Sequence, residues 1–208
     1  MIRHIARWQF VLTSAFGLVN CRDTPVLRNL PEEAVILAFG DSLTAGNGVV
    51  RTDSYPAVIS QETGFKVINA GRSGEITAAG VLRLPALLQR YNPDLVIICH
   101  GGNDILRRLS LLQAETNLRK MVAEVKESGV DIILVAVPQF SVWGKVPDFY
   151  ARVAEDFHVP LQADILSELE RDLRMKSDAV HLNVAGYRQF AKSIISLMSE
   201  AEQELFEC

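Results

Sequence analysis

Ser42, Asp178 and His181 are the residues of this chain whose types and setting could drive nucleophilic chemistry. Ser42 follows an apolar run, Ala34 to Phe39, that stops abruptly at Gly40-Asp41-Ser42. A hydroxyl acts on an acyl carbon when a base takes its proton, a third group orients that base, and donors meet the developing oxyanion. The base is sought among His4, His100, His158 and His181. His4 falls in an N-terminal segment expected to be a signal peptide and so to be lost, and His158 precedes Val159-Pro160 at a helix-to-strand junction, which suits a surface role. His100 ends an apolar run, where the adjoining Gly101-Gly102-Asn103-Asp104 has more chemistry to offer. His181 lies in the polar loop Ser177 to Asn183, three residues after Asp178. In one tight turn a carboxylate at that spacing can hold Nδ1–H and leave Nε2 facing a hydroxyl. Taken alone, the pair describes equally well a solvated turn that caps the last helix, with Asn183 as N-cap.

Two oxyanion donors can be sought beside the Ser42 amide. Gly74, in Asn69-Ala-Gly-Arg-Ser-Gly74-Glu75, follows a strand and precedes a helix, so its N–H can point into a ligand crevice. Asn103 follows paired glycines that let the backbone approach a ligand, and its side-chain amide donates without carrying charge. Each feature alone is an ordinary glycine turn. Together they put Ser42, Gly74 and Asn103 after three successive apolar runs.

Those runs must be strands for the juxtaposition to hold. From residue 34 onward, short apolar runs alternate with amphipathic stretches, the pattern of βαβ units around a parallel sheet. Strands are predicted at 35–39, 66–69, 95–100 and 131–137, with a weak one near 159–161. Helices are predicted at 55–62, 76–91, 112–127, 149–157, 165–174 and 184–204. Pro85 should kink or divide the second helix, because proline removes a donor and crowds the preceding turn. In open parallel sheets, ligands bind at the carboxyl ends of the strands, where Ser42, Gly74 and Asn103 would converge.

With these residues in place the chain resembles an SGNH (GDSL) hydrolase. Gly40-Asp41-Ser42-Leu43 matches the first block of that family, Ser73-Gly74-Glu75-Ile76-Thr77 resembles the second, Gly101-Gly102-Asn103-Asp104 matches the third, and Asp178-x-x-His181 the last. The similarity spans roughly residues 34–200 and is strongest to the small bacterial thioesterase, arylesterase and lysophospholipase members. It implies a flavodoxin-like three-layer α/β/α fold with a five-stranded parallel sheet. It further implies Ser42 as nucleophile, His181 as base, Asp178 as its orienter, and an oxyanion hole of the Ser42 and Gly74 amides with the Asn103 side chain. No cofactor or metal is called for.

Rival motifs fail on spacing. Gly71-Arg-Ser73-Gly74-Glu75 lacks the second glycine of the Gly-x-Ser-x-Gly elbow, and Gly40 to Gly48 contains no Gly-Lys-Ser/Thr of a P-loop. A formal net charge of −4 argues against nucleic acid, which requires a basic stripe to displace counterions.

The expected substrate is a small-molecule ester, thioester or lysophospholipid. Arg72, Arg107 and Arg108 beside the second and third blocks could hold an anionic group, or form a solvated rim. Phe140, Trp143, Phe149 and Tyr150 could line an acyl groove, or pack the 138–148 connection onto the core. Polysaccharide or small-ester O-acetylesterase is the alternative activity, and a tethered non-catalytic binding lipoprotein the alternative class.

Residues 1–21 are expected to be a signal peptide, 22–33 a linker and 34–208 one hydrolase domain. Arg3 and Arg7 precede a short apolar stretch from Phe10 to Val19, too short to span a bilayer. Cys21 then resembles a lipoprotein cleavage site and a possible membrane tether, although Asn20 stands where such sites carry a small residue and Ala15-Phe16-Gly17 offers a competing cut. The expected location is outside the cytoplasm of a bacterium, periplasmic or lipid-anchored; it is cytoplasmic if this segment is not a signal. Cys99, within an apolar run, reads as a small buried hydrophobe.

Overall fold

The computed structural model describes residues 25–139 and 145–207. The expected signal segment with Cys21, and Phe140 and Trp143, lie outside the described residues. Five parallel strands form one sheet: β1 (Val35–Gly40), β2 (Lys66–Gly71), β3 (Leu95–Cys99), β4 (Asp131–Val135) and β5 (Leu161–Gln162). Their order is β2-β1-β3-β4-β5. The chain runs outward from β1 to β2, then crosses back over β1 to β3. The crevice beside β1 is therefore the switch point at which such sheets receive ligands.

The interior strands are apolar without alternation because both faces are covered. All five residues of β3 are buried, as are Ile36 to Gly40 of β1. One helical layer consists of α3 (Thr77–Tyr91), α5 (Leu111–Glu127) and α6 (Phe149–Phe157). The other holds α2 (Tyr55–Thr63), α7 (Ile165–Arg171) and α8 (Val184–Glu207). Two short helices follow strand ends, α1 (Ser42–Ala45) after β1 and α4 (Gly102–Leu106) after β3. Among the described residues no helix is long and apolar enough to cross a membrane.

Several boundaries depart from the sequence reading. Helix α3 runs unbroken through Pro85, so the proline does not divide it. Leu84 and Leu88 bury against the sheet and Arg83 bonds the Ala70 carbonyl, so tertiary contacts hold the turn where Pro85 lacks a donor. The helix expected over 165–174 stops at Arg171, and a 3-10 turn, Leu173–Met175, redirects the chain. Residues of the expected linker are packed down. Leu27 is buried and its N–H reaches the Ala201 carbonyl, while Arg28 pairs with Asp131. Cys99 is a buried free thiol within β3.

Candidate active site

Gly40 ends β1 where no side chain fits, since a Cβ there would come within 2.2 Å of the Cys99 carbonyl oxygen and of Thr44 Oγ1. This close approach lets the chain turn at once into α1. Asp41 caps that helix, its Oδ1 accepting from the Leu43 N–H at 3.1 Å. Ser42 is the first helical residue, so its own N–H has no acceptor in the helix. Gly46, at φ 87°, ends the helix after one turn.

The base arrives from a separately braced loop. Lys176 and Leu182 form an antiparallel bridge, and Ser177 N–H bonds the His181 carbonyl. Asn183 Oδ1 accepts from the Gly186 N–H and caps α8, as the sequence suggested. Within the loop, Asp178 Oδ1 accepts the N–H groups of Val180 and His181, both at 2.8 Å, which fixes the carboxylate against the imidazole.

His181 joins the two segments. Its Nδ1 lies 2.8 Å from Asp178 Oδ2 and its Nε2 lies 3.0 Å from Ser42 Oγ, across 139 residues of sequence. The hydrogen bond from His181, then those from the two amides, pull the Asp178 carboxyl down to about 2, so it is ionised at neutral pH and can only accept. Nδ1 therefore carries the imidazole proton. A neutral ring then offers Nε2 as an acceptor to the Ser42 hydroxyl.

Asn103 sits at the start of α4, and its Nδ2 donates to Asp41 Oδ2 at 3.3 Å. An amide nitrogen has two hydrogens, so this bond orients the group and leaves one free. Asp41 itself is buried. Burial raises its pKa, opposed by His100, by the Leu43 and Asn103 donors and by His181. Gly74 adopts φ 77° and its carbonyl accepts from Arg107 Nη2 at 2.8 Å. Arg107 thus braces the Gly74 turn. Arg72 is 70% exposed and stands 3.7 Å from Glu75. Tyr150 is wholly buried and donates to the His100 carbonyl, so it supports the third block instead of lining a groove.

A polar network beneath these groups was not evident from the sequence. Glu75 is buried. Its carboxylate accepts from Arg83 Nε and Nη2 and lies 3.3 Å from His100 Nε2. His100 Nδ1 accepts from the Gly101 N–H, so Nε2 holds the proton that faces Glu75. Arg83 also reaches the carbonyls of Ala70 and Gly40. The ends of β1, β2 and β3 are thereby tied together next to Gly74. Asp104 adds a second tie, accepting from both the N–H and the hydroxyl of Thr77 at the start of α3.

Burial by itself would raise the Glu75 carboxyl, but bonds from His100 and Arg83 outweigh it and hold the pKa at about 2, against an ordinary 4.5. A depressed carboxyl stabilises the fold fully above its unfolded pKa. That contribution drains away as pH falls from about 4.5 towards 2. Glu75→Gln should therefore melt at a lower temperature than wild type at pH 7, with the gap narrowing at pH 3. Its cost should stay below the roughly 3–5 kcal/mol of deleting one partner of a buried pair. Melting by circular dichroism at both pH values checks this, and parallel losses in the two proteins would contradict it.

A cleft of about 550 Å³ opens beside the histidine, lined by Asn47, Gly48, Arg51, Asn69, Asp178 and His181 among others. A second, of about 440 Å³, is lined by Leu111, Leu112, Pro147 and Phe149, with Glu115 and Arg152 at its polar side.

Residues 38–189 match the GDSL-like lipase/acylhydrolase family. Over 156 residues the chain is 31% identical to thioesterase 1/protease 1/lysophospholipase L1 of Escherichia coli (strain K12), covering 71% of this chain and 75% of that protein. It is 32% identical over 157 residues to an arylesterase of Vibrio mimicus, covering 70% and 78%. The crystal structure of TesA superimposes with a TM-score of 0.73 at 26% identity, covering 80% of this chain and 99% of TesA.

Proposed function

Because this chain belongs to the GDSL-like lipase/acylhydrolase family and is an ester hydrolase of the SGNH type, we propose that it works through an acyl-enzyme on Ser42. The observation that carries this reading is His181, bonded at 3.0 Å to Ser42 Oγ and at 2.8 Å to Asp178. Ser42 Oγ attacks the carbonyl carbon while His181 Nε2 takes the hydroxyl proton. Asp178 holds the imidazolium that results. The oxyanion is met by the N–H groups of Ser42 and Gly74 and by the second hydrogen of Asn103 Nδ2. Collapse of the tetrahedral intermediate expels the alcohol or thiol, which leaves with the proton from His181. Water then adds to the acyl-enzyme, giving up its proton to the same nitrogen, and the acid departs as Ser42 is restored.

The substrate class is a carboxylic ester or thioester of the kinds named by the relatives: acyl thioesters, lysophospholipids and aryl esters. The leaving group departs on the side of His181, where the cleft is polar, with Asn47, Arg51 and Asn69 on its walls.

Asn103→Ala provides the test. It removes a donor whose partner is a charge present only in the transition state, so kcat should fall about 100- to 1,000-fold with KM little changed. Steady-state kinetics on a soluble p-nitrophenyl ester reads the split. An unchanged kcat would remove Asn103 from the oxyanion hole.

A further inference from the structure

The five strands are parallel, so the connections leaving them emerge at the edge that carries Ser42. Among the described residues, six of the nine large apolar side chains that reach solvent do so at this edge, the other three being Val26, Leu82 and Leu173. Val50 lies in the connection after β1; Leu106, Leu109, Leu111 and Leu112 line the one after β3; Val184 opens α8 directly beyond His181. Leu112 is 75% exposed and Val50 66%. Scattered apolar residues on a surface need no explanation, but a concentration around the mouth of one site marks a contact surface.

Charge is concentrated there as well. Arg51 lies in the connection after β1, Arg72 in the one after β2, and Arg107 and Arg108 in the one after β3, and all four are exposed. Among the described residues none of the four makes a close ion pair; the nearest approach is Arg72 to the already bonded Glu75, at 3.7 Å. Of the acids of this edge, Asp41, Glu75 and Asp104 are buried and Asp178 is held by His181. Asp53 is half-buried beside Arg51, and Asp148, 4.0 Å from Lys145, and Asp164 are exposed towards β4 and β5, so the excess of positive charge lies on the connections after β2 and β3. A basic, leucine-studded rim on a chain of net charge −4 is a local asymmetry.

We propose that this rim docks on an anionic lipid interface and so presents interfacial esters to the cleft. The inference rests on the ester-hydrolase reading above. Leucines from the connection after β3 enter the boundary between headgroups and acyl chains, with Val50 and Val184 at its flanks, while the arginines pair with headgroup phosphates. Contact through several separate connections suits an extended interface. Phosphate at the headgroup level accounts for Arg51, Arg72 and Arg108, and for the donors that Arg107 does not spend on the Gly74 carbonyl, which an uncharged apolar partner would leave desolvated and unpaired.

The test uses the full chain, so that the N-terminal apolar segment is common to every sample. Wild type and Leu109→Gln/Leu112→Gln are sedimented with vesicles of phosphatidylcholine, alone or mixed with phosphatidylglycerol. Both proteins are also assayed on a water-soluble p-nitrophenyl ester. Wild type should pellet with the anionic vesicles and far less with the neutral ones. The double variant should partition about tenfold more weakly or worse, from the apolar surface lost, while its turnover of the soluble ester is unchanged. Raising the salt should release wild type, because the arginine contribution is screened. Wild type remaining in the supernatant, binding indifferent to headgroup charge, or equal binding by the variant would each overturn the proposal. Concentration-dependent dimerisation abolished by the variant, without vesicle binding, would also overturn it and assign the rim to a second copy. Failure of wild type to turn over the soluble ester would instead defeat the hydrolase reading.

Discussion

Ser42→Ala should lower kcat by about a millionfold, His181→Ala should cost about as much, and the double variant should be no worse than either alone. The reason is that in the proposed mechanism the hydroxyl and the imidazole act as one unit. Removing Ser42 Oγ leaves His181 with no proton to take. Removing His181 leaves a hydroxyl that is protonated at neutral pH and a poor nucleophile. What survives in each case is binding and the oxyanion donors, which still act on a water that attacks directly. Ser42→Ala should keep its melting temperature, since the bond lost is the one to His181 and the rest of the α1 turn is built from Asp41, Leu43 and Gly46. Kinetics on a p-nitrophenyl ester, with melting measured on the same samples, checks the pair. Additive losses would mean that the two residues serve different steps.

Asp178→Asn should reduce kcat by about ten-thousandfold while leaving the protein folded. An asparagine can turn its amide nitrogen toward His181 Nδ1, which must then accept. The imidazole proton moves to Nε2, the atom that has to receive the proton of Ser42. Geometry is kept and the tautomer is wrong. The carboxylate is 54% exposed, so its removal costs little stability, and its two backbone donors from Val180 and His181 can still bond an amide oxygen. Steady-state kinetics of Asp178→Asn beside Asp178→Ala separates tautomer from charge. A loss of less than tenfold in both would show that His181 needs no orienter.

Much of this was legible in the chain because local rules carried it. Continuous apolar runs identified β1, β3 and β4, and a strand that stops at Gly-Asp-Ser put the hydroxyl at the ligand edge. Asp178 and His181 are three residues apart, and four ordered blocks pointed to the family. The supports were hidden because they are long-range. Nothing near Glu75 announces that Arg83 and His100 enclose its carboxylate, and its setting separates it from an ordinary surface glutamate only after β1, β2 and β3 are aligned. Asp104 caps α3 from another connection, so the start of that helix carries no capping side chain of its own. Pro85 does not divide α3, since burial of Leu84 and Leu88 overrides a local preference. Arg107, read as a candidate for substrate, bonds the Gly74 carbonyl, a role set by two turns that meet only in the folded chain. The polar brace around Glu75 and the trio of Ser42, His181 and Asp178 are therefore separable: one sets the strand ends, and the proposed chemistry belongs to the other.

The most direct measurement of the central claim is covalent. Wild-type protein treated with an alkyl fluorophosphonate should gain one adduct by intact mass, and peptide mapping should find it on Ser42. Ser42→Ala should gain none, and His181→Ala should label far more slowly. An adduct on another serine, such as Ser73 where it bonds Asn47, or undiminished ester turnover by Ser42→Ala, would contradict an acyl-enzyme at Ser42.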